Sequence, residues 1–460
     1  MKNSILLFLL IFSTALGAEE NRLTRNESSS SIDFDFESLN MFIIRNDTDF
    51  DRTPPYYDKY GQEMGLVGTF FKPMLSIRAN NHLRFYWESE IGLDLWSQNN
   101  PDIGLDDKNS KMAIGIKQRE LYNEVNYDQL HLKVGFQRVM DLSTLFINHW
   151  IGALKIGYIN EEYGVNLLAG EFPDQTYKGW DFSSQNFLTD VYVIGLDGFY
   201  NVLKDMKLYL GIYFVDDMHL IDRRRQVTAY EGKISYDMDI LKVYASGVYL
   251  KGYRHKGGAD LKNTDISAFG LITGANFNYE GILSVEGVFS YMSADDNYEG
   301  NDSGAFLFSS RRTGPSLLLS ENDMRPIGDN IDKRIGAFDG VFYEMKAGLI
   351  GLDVGVYYTH DFLKVGPISG LLFTANDANS MNSNFVGWEN DLLVDLSLFD
   401  RLLKVQIIGG ILIPGEAGAA LLNSINRTEY KDDTNKTVSV TEPIYYFQSG
   451  IMMFYGSSPF

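Results

Sequence analysis

Apolar and polar side chains alternate with a period of two in the stretch FVGWENDLLVDLSLFDRLLKVQIIGGILIPG, near the C-terminal end of the sequence. Leu392, Val394 and Leu396 fall on one side of this alternation, and Asp391 and Asp395 fall on the other. A helix would need apolar residues three and four positions apart, whereas successive side chains of a β-strand point to opposite faces. The pattern therefore predicts strands with one apolar and one polar face.

Stretches of this kind follow one another along most of the chain, and no long helical period competes with them. The alternation predicts eighteen strands. Their predicted ranges are 31–45, 64–78, 82–96, 112–126, 128–138, 151–159, 163–171, 188–200, 204–217, 225–238, 240–254, 263–280, 282–294, 336–348, 350–363, 385–398, 401–413 and 442–455. Because the number is even, the first and the last strand begin and end on the same side of the predicted sheet.

The connections between these strands are alternately short and long. Short ones such as 79–81 and 160–162 alternate with long ones such as 46–63, 295–335 and 414–441. Short periplasmic turns and long outer loops are typical of transmembrane β-barrels, and hydrocarbon requires the sheet to close so that every backbone group is paired. The predicted fold is therefore all-β, a single closed antiparallel transmembrane β-barrel of about eighteen strands. Its apolar face would meet lipid and its charged face a water-filled lumen.

The first residues, MKNSILLFLLIFSTALGAEE, have the layout of a secretory signal peptide. Lys2 precedes an apolar run that is too short for a transmembrane helix, and small residues follow that run. We therefore expect residues 1–17 to be removed after Gly17 and residues 18–460 to form the barrel. Charge or glycine interrupts every later apolar stretch, which argues against a helical membrane protein.

Charge and composition exclude several classes of function. The chain has a formal net charge of −21 and contains no cysteine. Such an acidic protein is poorly suited to binding phosphates, so we expect no nucleic-acid partner. The absence of cysteine removes disulfides, thiol nucleophiles and thiolate metal sites. We also predict no cofactor, no metal site and no catalytic set of histidine, acid and hydroxyl side chains.

Two segments resemble the outer-membrane porins of the alginate export type, a family of eighteen-stranded barrels. In residues 119–158, a hairpin ends in the sequence GFQR, beginning at Gly135, where the family typically has Gly-Arg-Gln. In residues 385–415, the sequence GWEND, beginning at Gly387, leads into two strands that end in IPG. This resembles the Gly-x-Glu-x-Asp and Pro-Gly of the family. The resemblance implies a barrel channel, but Phe136 stands where the family's Gly-Arg-Gln has its arginine, so this sequence departs from the family's basic, polyanion-binding lumen.

The polar face of each predicted strand supplies candidates for the pore wall, and rings of charge in a pore tune ion selectivity. The basic candidates are Arg84, Lys117, Arg119, Lys133, Lys155, Lys207, Lys233, Lys346 and Lys404. The acidic candidates are Glu88, Glu90, Asp94, Asp197, Glu231, Asp237, Glu286, Glu344, Asp353, Glu389, Asp391 and Asp395. Each is equally consistent with a solvated residue paired across strands, and a register slip of one residue would exchange the two faces.

Two connections are candidates for segments that fold into the barrel. The connection 139–150 contains Leu145 and Phe146 and is too apolar for a freely solvated loop, so we expect it to pack either in the lumen or at the membrane interface. The connection 295–335 contains Arg311 and Arg312, which could narrow a pore. Either segment would place its own side chains at the constriction.

Together these features predict a porin, a channel of the bacterial outer membrane for passive diffusion of small hydrophilic solutes or ions, and not an enzyme. Its partners would be outer-membrane lipid, the permeating solutes and the barrel assembly machinery; the oligomeric state stays open. A barrel hydrolase and a surface adhesin are the alternatives. Acids outnumber bases among these inward candidates, which predicts weak cation preference or near-neutrality. The alternative is that Lys133, Arg138, Lys155 and the loop with Arg311 and Arg312 converge at a constriction and override the average.

Overall fold

A computed structural model describes most of the strand-forming residues. The described ranges are 30–45, 64–80, 82–93, 114–172, 191–218, 224–255, 263–295, 302–309, 315–316, 337–339, 342–376, 383–400, 402–418 and 443–455. The predicted signal peptide 1–17 and the predicted loop 46–63 lie outside these ranges, as do most of 295–335 and 414–441. Within the described ranges, no helix has both the length and the apolarity needed to cross a bilayer.

The described residues form twenty-two β-strands. They are β1 Ser31–Arg45, β2 Met64–Arg78, β3 Leu83–Leu93, β4 Ile114–Tyr127, β5 Leu130–Met140, β6 Asn148–Ile159, β7 Tyr163–Glu171, β8 Val191–Leu203, β9 Met206–Asp217, β10 Arg225–Asp237, β11 Leu241–Arg254, β12 Thr264–Tyr279, β13 Leu283–Met292, β14 Asp302–Ser303, β15 Phe306–Phe308, β16 Ala337–Asp339, β17 Phe342–Met345, β18 Leu349–His360, β19 Leu363–Phe373, β20 Phe385–Leu398, β21 Leu403–Pro414 and β22 Ile444–Tyr455. Eighteen of them, β1–β13 and β18–β22, build the barrel wall.

Each wall strand pairs antiparallel with the next, and β13 pairs with β18 across the connection that contains the four short strands. The ring closes where β22 pairs with β1, from Phe36 opposite Tyr455 to Arg45 opposite Tyr446. Closure removes the unpaired strand edges that hydrocarbon could not solvate. The predicted closed antiparallel barrel of eighteen strands is confirmed.

The strand count is right although one predicted strand is wrong. The range 336–348 is not part of the wall, because β16 and β17 pair with β15 in a separate three-stranded sheet. Its place in the wall is taken by β19, which the sequence pattern predicts to be part of a loop at 364–384. Gly366 and Pro367 interrupt the alternation of β19, and they fall in a gap of the β18–β19 pairing. Proline cannot donate to a strand ladder, so such a gap is where a strand tolerates it.

The outer face of the wall is apolar. On β9, Leu208, Leu210 and Ile212 are exposed, whereas the alternate residues Tyr213 and Val215 are buried. Exposed tyrosines lie close to the short turns at one rim: Tyr127, Tyr158, Tyr163, Tyr200, Tyr279 and Tyr358. An apolar belt edged by aromatic side chains is the surface that a transmembrane barrel presents to lipid.

Tight turns join the strands at this rim. Asp128, Glu280, Asp361, Phe399 and Asp400 there have φ between 48° and 53°. Two-residue hairpin turns need this left-handed backbone because its twist matches that of the strands they connect. The strand ends that flank the predicted long loops open onto the opposite rim, which follows from the antiparallel order.

Part of the inner face is apolar, where the sequence analysis predicts only charged, water-facing side chains. Val193, Val227, Val248 and Ile266 point inward from β8, β10, β11 and β12, and each is at most 3% exposed. They belong to one core with residues of the connection 141–147 and of the small sheet β15–β17. These two segments therefore fold into the barrel and cover one side of its lumen.

The two inserted segments hold each other in place. The Phe146 ring stacks on that of Phe342 with 5.2 Å between centroids, and Phe342 also contacts Phe172. The backbone N–H of Ser309 donates to the carbonyl oxygen of Phe146 over 3.0 Å. The connection 139–150 is packed, as expected, and of the two expected locations the structure has the lumen; β5 and β6 leave residues 141–147 between them.

Gly135 is required where β5 crosses β4. Its φ is 134°, and a Cβ atom there would lie 2.3 Å from the carbonyl oxygen of Leu121. We expect Gly135→Ala to destabilise the folded barrel by roughly 1–3 kcal/mol, because the backbone would have to shift. Unfolding in urea, followed by the gel mobility of folded barrel, measures this. Gly232→Ala is the control, since its nearest neighbour is Leu210 at 3.9 Å. Equal losses would contradict the prediction.

Adjacent residues of β7 test which face meets lipid. Leu167 is exposed on the apolar face, whereas the Asn166 side chain on the other face donates to Asp197 over 2.8 Å. Leu167→Arg should cost about 2–4 kcal/mol when the barrel folds into lipid vesicles, because the charge enters hydrocarbon. Asn166→Arg should cost much less, since its charge meets water and a carboxylate. Similar folded yields of the two variants would show that the faces are assigned wrongly.

Candidate functional site: the barrel lumen

Charged side chains on the inner face of β1–β4 pair with one another. Lys72 Nζ lies 3.7 Å from Glu37 Oε2 and 3.6 Å from Glu88 Oε1. Arg84 Nη1 lies 3.6 Å from Glu124 Oε2 on the neighbouring strand. The predicted residues Arg84 and Glu88 therefore belong to a patch in which positive and negative charges largely offset each other.

A register shift in the β3–β4 pairing, next to Glu88, directs Arg119 toward Glu90. The Nε and Nη2 groups of Arg119 donate to Glu90 Oε2 over 2.8 Å and 2.5 Å. The Arg119 guanidinium also lies 4.6 Å from the ring centre of Trp150, which Arg138 approaches to 5.3 Å. A β-bulge commonly re-aims a side chain in this way. Two more predicted residues thus form an ion pair.

Lysines farther round the wall lie over aromatic rings. The distances from Nζ to the ring centre are 3.6 Å for Lys133 over Tyr122, 5.4 Å for Lys207 over Phe199, 5.7 Å and 5.4 Å for Lys233 over Tyr209 and Tyr244, and 3.9 Å for Lys364 over Tyr357. A ring face attracts an ammonium group without neutralising its charge. In the described part of the chain, none of these lysines lies within salt-bridge distance of a carboxylate.

Lys133 and Lys155 stand directly opposite each other on β5 and β6. Like charges in such a cross-strand pair repel. Tyr122 relieves part of this repulsion, because it pairs with Gly135 and its ring therefore has room to lie beneath Lys133. Lys155 remains exposed. The pair consequently presents two neighbouring positive charges on the inner face.

Acidic candidates on β20 are buried. Glu389 and Asp391 are 0% and 5% exposed. The Tyr446 hydroxyl of β22 lies within hydrogen-bond distance of both carboxylates, at 2.5 Å from Glu389 Oε1. Burying a carboxylate is costly unless charged or hydrogen-bonding groups compensate it. These acids therefore act first on their own protein neighbours and less on the lumen water.

Two further acids of this part of the wall have partners as well. Asp395 lies 3.4 Å from Lys404 Nζ and is 7% exposed. Asp353 on β18 is fully buried and accepts a hydrogen bond of 2.5 Å from the Ser316 hydroxyl, in the connection between β13 and β18. The predicted residues Asp395 and Lys404 therefore form a pair on the inner face.

Glu231 on β10 contacts the inserted connection instead of open lumen. Its Oε2 atom accepts the backbone N–H of Leu142 over 2.8 Å, which places its carboxyl group beside that of Asp141. Asp141 Oδ2 also accepts the Ser143 hydroxyl and the backbone N–H groups of Phe146 and Ile147 over 2.9–3.2 Å. Burial raises the pKa of the Asp141 carboxyl above its ordinary range. This contact attaches the connection to the wall.

The predicted residues Glu344 and Lys346 are not on a wall strand, because the range 336–348 is inserted. Glu344 lies in β17, is buried, and forms an ion pair of 3.0 Å with Arg254 Nη2 at the end of β11. It also accepts the Ser303 hydroxyl over 3.4 Å. Lys346 lies in the turn after β17 and is exposed. Glu344 therefore anchors the small sheet to the wall.

Some predictions fall where the structure gives no side-chain information. Asp94 lies outside the described residues, as do Arg311 and Arg312. Lys117 belongs to β4 and pairs with Glu90 across the strands, without a described side chain. The role of these residues in the pore wall stays a prediction.

The alternation in the sequence does not identify Lys364 or Asp141 as inward residues, for two different reasons. Lys364 is placed in a loop because glycine and proline mask the alternation of β19. Asp141 is passed over because it follows β5 directly, at a point where the strand pattern has ended. The signal that could have found it is local: Asp141, Ser143 and the apolar run from Leu145 form an acid-hydroxyl cluster that can satisfy the backbone of an inward-folded turn.

Metal binding has no described site here. Among the described residues, no group of three or more His, Cys, Asp or Glu side chains is placed to hold a metal ion. The His360 ring lies 3.2 Å from the Asp361 carboxylate in the exposed turn between β18 and β19. That turn belongs to the rim of short connections, which offers no long loops to enclose a substrate.

The ion pair between Arg254 and Glu344 should stabilise the inserted sheet. Arg254→Met removes the positive charge from a buried carboxylate, which typically costs about 3–5 kcal/mol. We expect faster proteolysis within residues 293–348 and a lower unfolding temperature. Lys242→Met is the control, since Lys242 pairs with Asp237 on the surface and such pairs contribute less than about 1 kcal/mol. Unchanged proteolysis in Arg254→Met would contradict this role.

Comparison with known proteins identifies the fold. No family model matches the chain, and no curated protein matches it. OccK9 (OpdG) of Pseudomonas aeruginosa covers 93% of this chain with 99% of its own, at a TM-score of 0.53 and 11% identity. OccAB2 of Acinetobacter baumannii covers 93% of this chain with 98% of its own, at a TM-score of 0.54 and 10% identity. The outer membrane protein OpdK of Pseudomonas aeruginosa covers 93% of this chain with 99% of its own, at a TM-score of 0.51 and 10% identity.

Identities near one in ten show that the fold is shared and carry no information on the solute. The predicted porin fold is confirmed, whereas the comparisons lend no support to the alginate export-type family. The resemblance of GFQR and GWEND to that family thus rests on two short patches. The chain has the closed eighteen-stranded barrel fold of outer-membrane porins.

Proposed function

We propose that this protein is a passive channel of the bacterial outer membrane for small hydrophilic solutes or ions. The observation that supports this most is the closed ring of eighteen strands, apolar outside and charged inside. A barrel of this size encloses an aqueous space, which the inserted segments narrow but which its own wall cannot fill. Outer-membrane lipid would then surround the belt, and the barrel assembly machinery would insert the chain. The rim with long connections would face outward.

The solutes that this channel favours are anions. Lys155 and Lys207 are exposed on the inner face, and Lys133 is half-buried over an aromatic ring. Most of the described acidic candidates are buried, like Glu389, or paired with a base, like Glu90. The sequence-based expectation of weak cation preference counts acids without knowing their burial. Because a pore acts on ions through charges that its water can reach, the exposed lysines should outweigh the more numerous acids.

The two alternative functions have less support. A barrel hydrolase needs a histidine, an acid and a hydroxyl group in one pocket, and no described contact assembles them. One solved structure with this fold is the outer membrane protein OpdK of Pseudomonas aeruginosa. An adhesin would act through its long outer loops, and those loops lie outside the described residues. We infer that the protein is not an enzyme.

Ion selectivity tests this proposal. In a planar bilayer with an about tenfold salt gradient, the reversal potential should have the sign of anion preference. Lys133→Gln combined with Lys155→Gln should reduce that potential, because the two adjacent positive charges are removed from the inner face. Lys242→Gln is the matched control, since Lys242 is an exposed lysine that pairs with Asp237 at the short-turn rim.

Three results would count against the proposal. A folded barrel without steady current would contradict the channel function. Cation preference in the parent protein would contradict the anion assignment and would indicate that the acidic side chains determine the ion selectivity. An equal loss of selectivity in the control and the double variant would show that the lumen lysines are not responsible.

A further inference from the structure

Asp141 and Glu231 form a carboxyl pair inside the barrel that conduction does not require. Asp141 begins the inserted connection, and Glu231 lies on the wall strand β10, 90 positions away in the sequence. Both side chains are nearly completely buried, at 4% and 5% exposure. The backbone N–H of Leu142, the residue next to Asp141, donates to Glu231 Oε2 over 2.8 Å, so the two carboxyl groups lie side by side. Two ionised carboxylates buried this close together repel each other, and neither can donate a hydrogen bond to the other.

The hydrogen-bond donors to the four carboxyl oxygens indicate where a shared proton would lie. Asp141 Oδ2 accepts three hydrogen bonds, and Glu231 Oε2 accepts the backbone N–H of Leu142. The other oxygen of each group, Asp141 Oδ1 and Glu231 Oε1, is buried and has no protein donor. Leaving two buried oxygens unsatisfied is costly. A single proton held between these two oxygens satisfies both and leaves one negative charge on the pair.

We propose that Asp141 and Glu231 share one proton, and that this proton latches the connection 141–147 to the barrel wall, so that its loss releases the connection and widens the lumen. The latch does not depend on the proposed channel function, whereas its effect on conductance does.

The latched connection stores a conformation that it would not hold alone. Thr144 has φ of 61°, which a β-branched residue adopts at a cost in backbone energy. Leu145 and Phe146 are buried against the small sheet and would leave it only with the whole connection. Because Asp141 fixes one end of the connection beside Glu231, breaking that contact removes a polar restraint between the connection and the wall.

Two ionisable groups of the wall face the pair. Lys233 on β10 acts electrostatically on both carboxyl groups and favours the remaining negative charge. Tyr213 on β9 also lies beside both, and its hydroxyl donates to Asp197 on β8 over 3.1 Å. The pair thus holds its proton in the presence of one nearby base, Lys233.

The sign of the pH dependence follows from proton counting. Released carboxyl groups in water lose their protons at ordinary carboxyl pKa values, whereas the latched pair keeps one proton at higher pH. The latched state therefore binds more protons, and it loses stability as pH rises. For a single proton, the ratio of released to latched molecules increases by up to about tenfold per pH unit through the titration.

Glu231→Gln should lock the connection at every pH. Its amide oxygen can still accept the N–H of Leu142, and its amide N–H can donate to an ionised Asp141 without any shared proton. Asp141→Asn should do the same with donor and acceptor exchanged. Glu286→Gln on β13 is the matched control, because Glu286 is a half-buried carboxylate of the inner face whose described neighbours are Tyr244 and Tyr357 on other wall strands.

Cysteine labelling tests the latch without conduction, since the chain has no cysteine of its own. Leu145→Cys places a thiol in the buried connection, and Lys204→Cys in an exposed turn corrects for the effect of pH on thiol reactivity. The ratio of the two labelling rates should rise with pH, by up to about tenfold per unit, and stay flat when Glu231→Gln or Asp141→Asn is added. A flat ratio in the parent background, or an equal rise in both locked variants, would overturn the latch.

Single-channel recording between about pH 5 and about pH 9 gives the second readout. Conductance should increase with pH in the parent and in Glu286→Gln, and stay constant in Glu231→Gln. If labelling shows release but conductance does not change with pH, the effect on the lumen is wrong. If the folded barrel carries no current while labelling shows release, the channel function fails and the latch stands.

Discussion

Backbone hydrogen bonding in hydrocarbon is the constraint on which the rest of this structure depends. A strand edge exposed to lipid would leave N–H and C=O groups without partners, so the sheet must return to its first strand. In this barrel β22 meets β1 over ten residue pairs. Closure then fixes which face of every strand points outward, and with it the apolar belt and the polar lumen. Which residues point inward follows from this requirement, whereas the inserted segments decide which of them line the pore.

Period and connection length were sufficient to predict this architecture from sequence, because both are imposed locally by the bilayer. The apolar side of β20, with Leu392 and Val394, could be assigned correctly for the same reason. The exchange of β19 for 336–348 shows the limit of this signal. Pro367 weakens a true wall strand, while the inserted β17 still alternates. Both follow the same local rule, and only the pairing partners, which are distant in sequence, distinguish them.

The lumen was less predictable than the wall because burial inside a barrel depends on what folds back into it. Val193 and Val248 point inward, which contradicts the expected polar face, and they are satisfied by the inserted connection and sheet. The sequence predicts Glu231 and Glu344 to be water-facing charges. Instead, Glu231 binds the inserted connection, and Glu344 binds the inserted sheet to Arg254 of the wall. In the proposed channel the exposed lysines dominate the ion selectivity for a related reason: most of the acids that could offset their charge are buried or paired with other residues.

The seam between β1 and β22 has a consequence for how this chain can be made. It joins the earliest wall strand to the last one, so the ring is incomplete until Tyr455 has been synthesised. Contacts between such distant parts of a chain form slowly, because a large loop entropy must be lost before they contribute any stability. Throughout that interval β1 and every finished hairpin expose apolar faces to water. The export route must therefore keep the whole polypeptide unfolded and protected, and close the ring in one late step within the membrane.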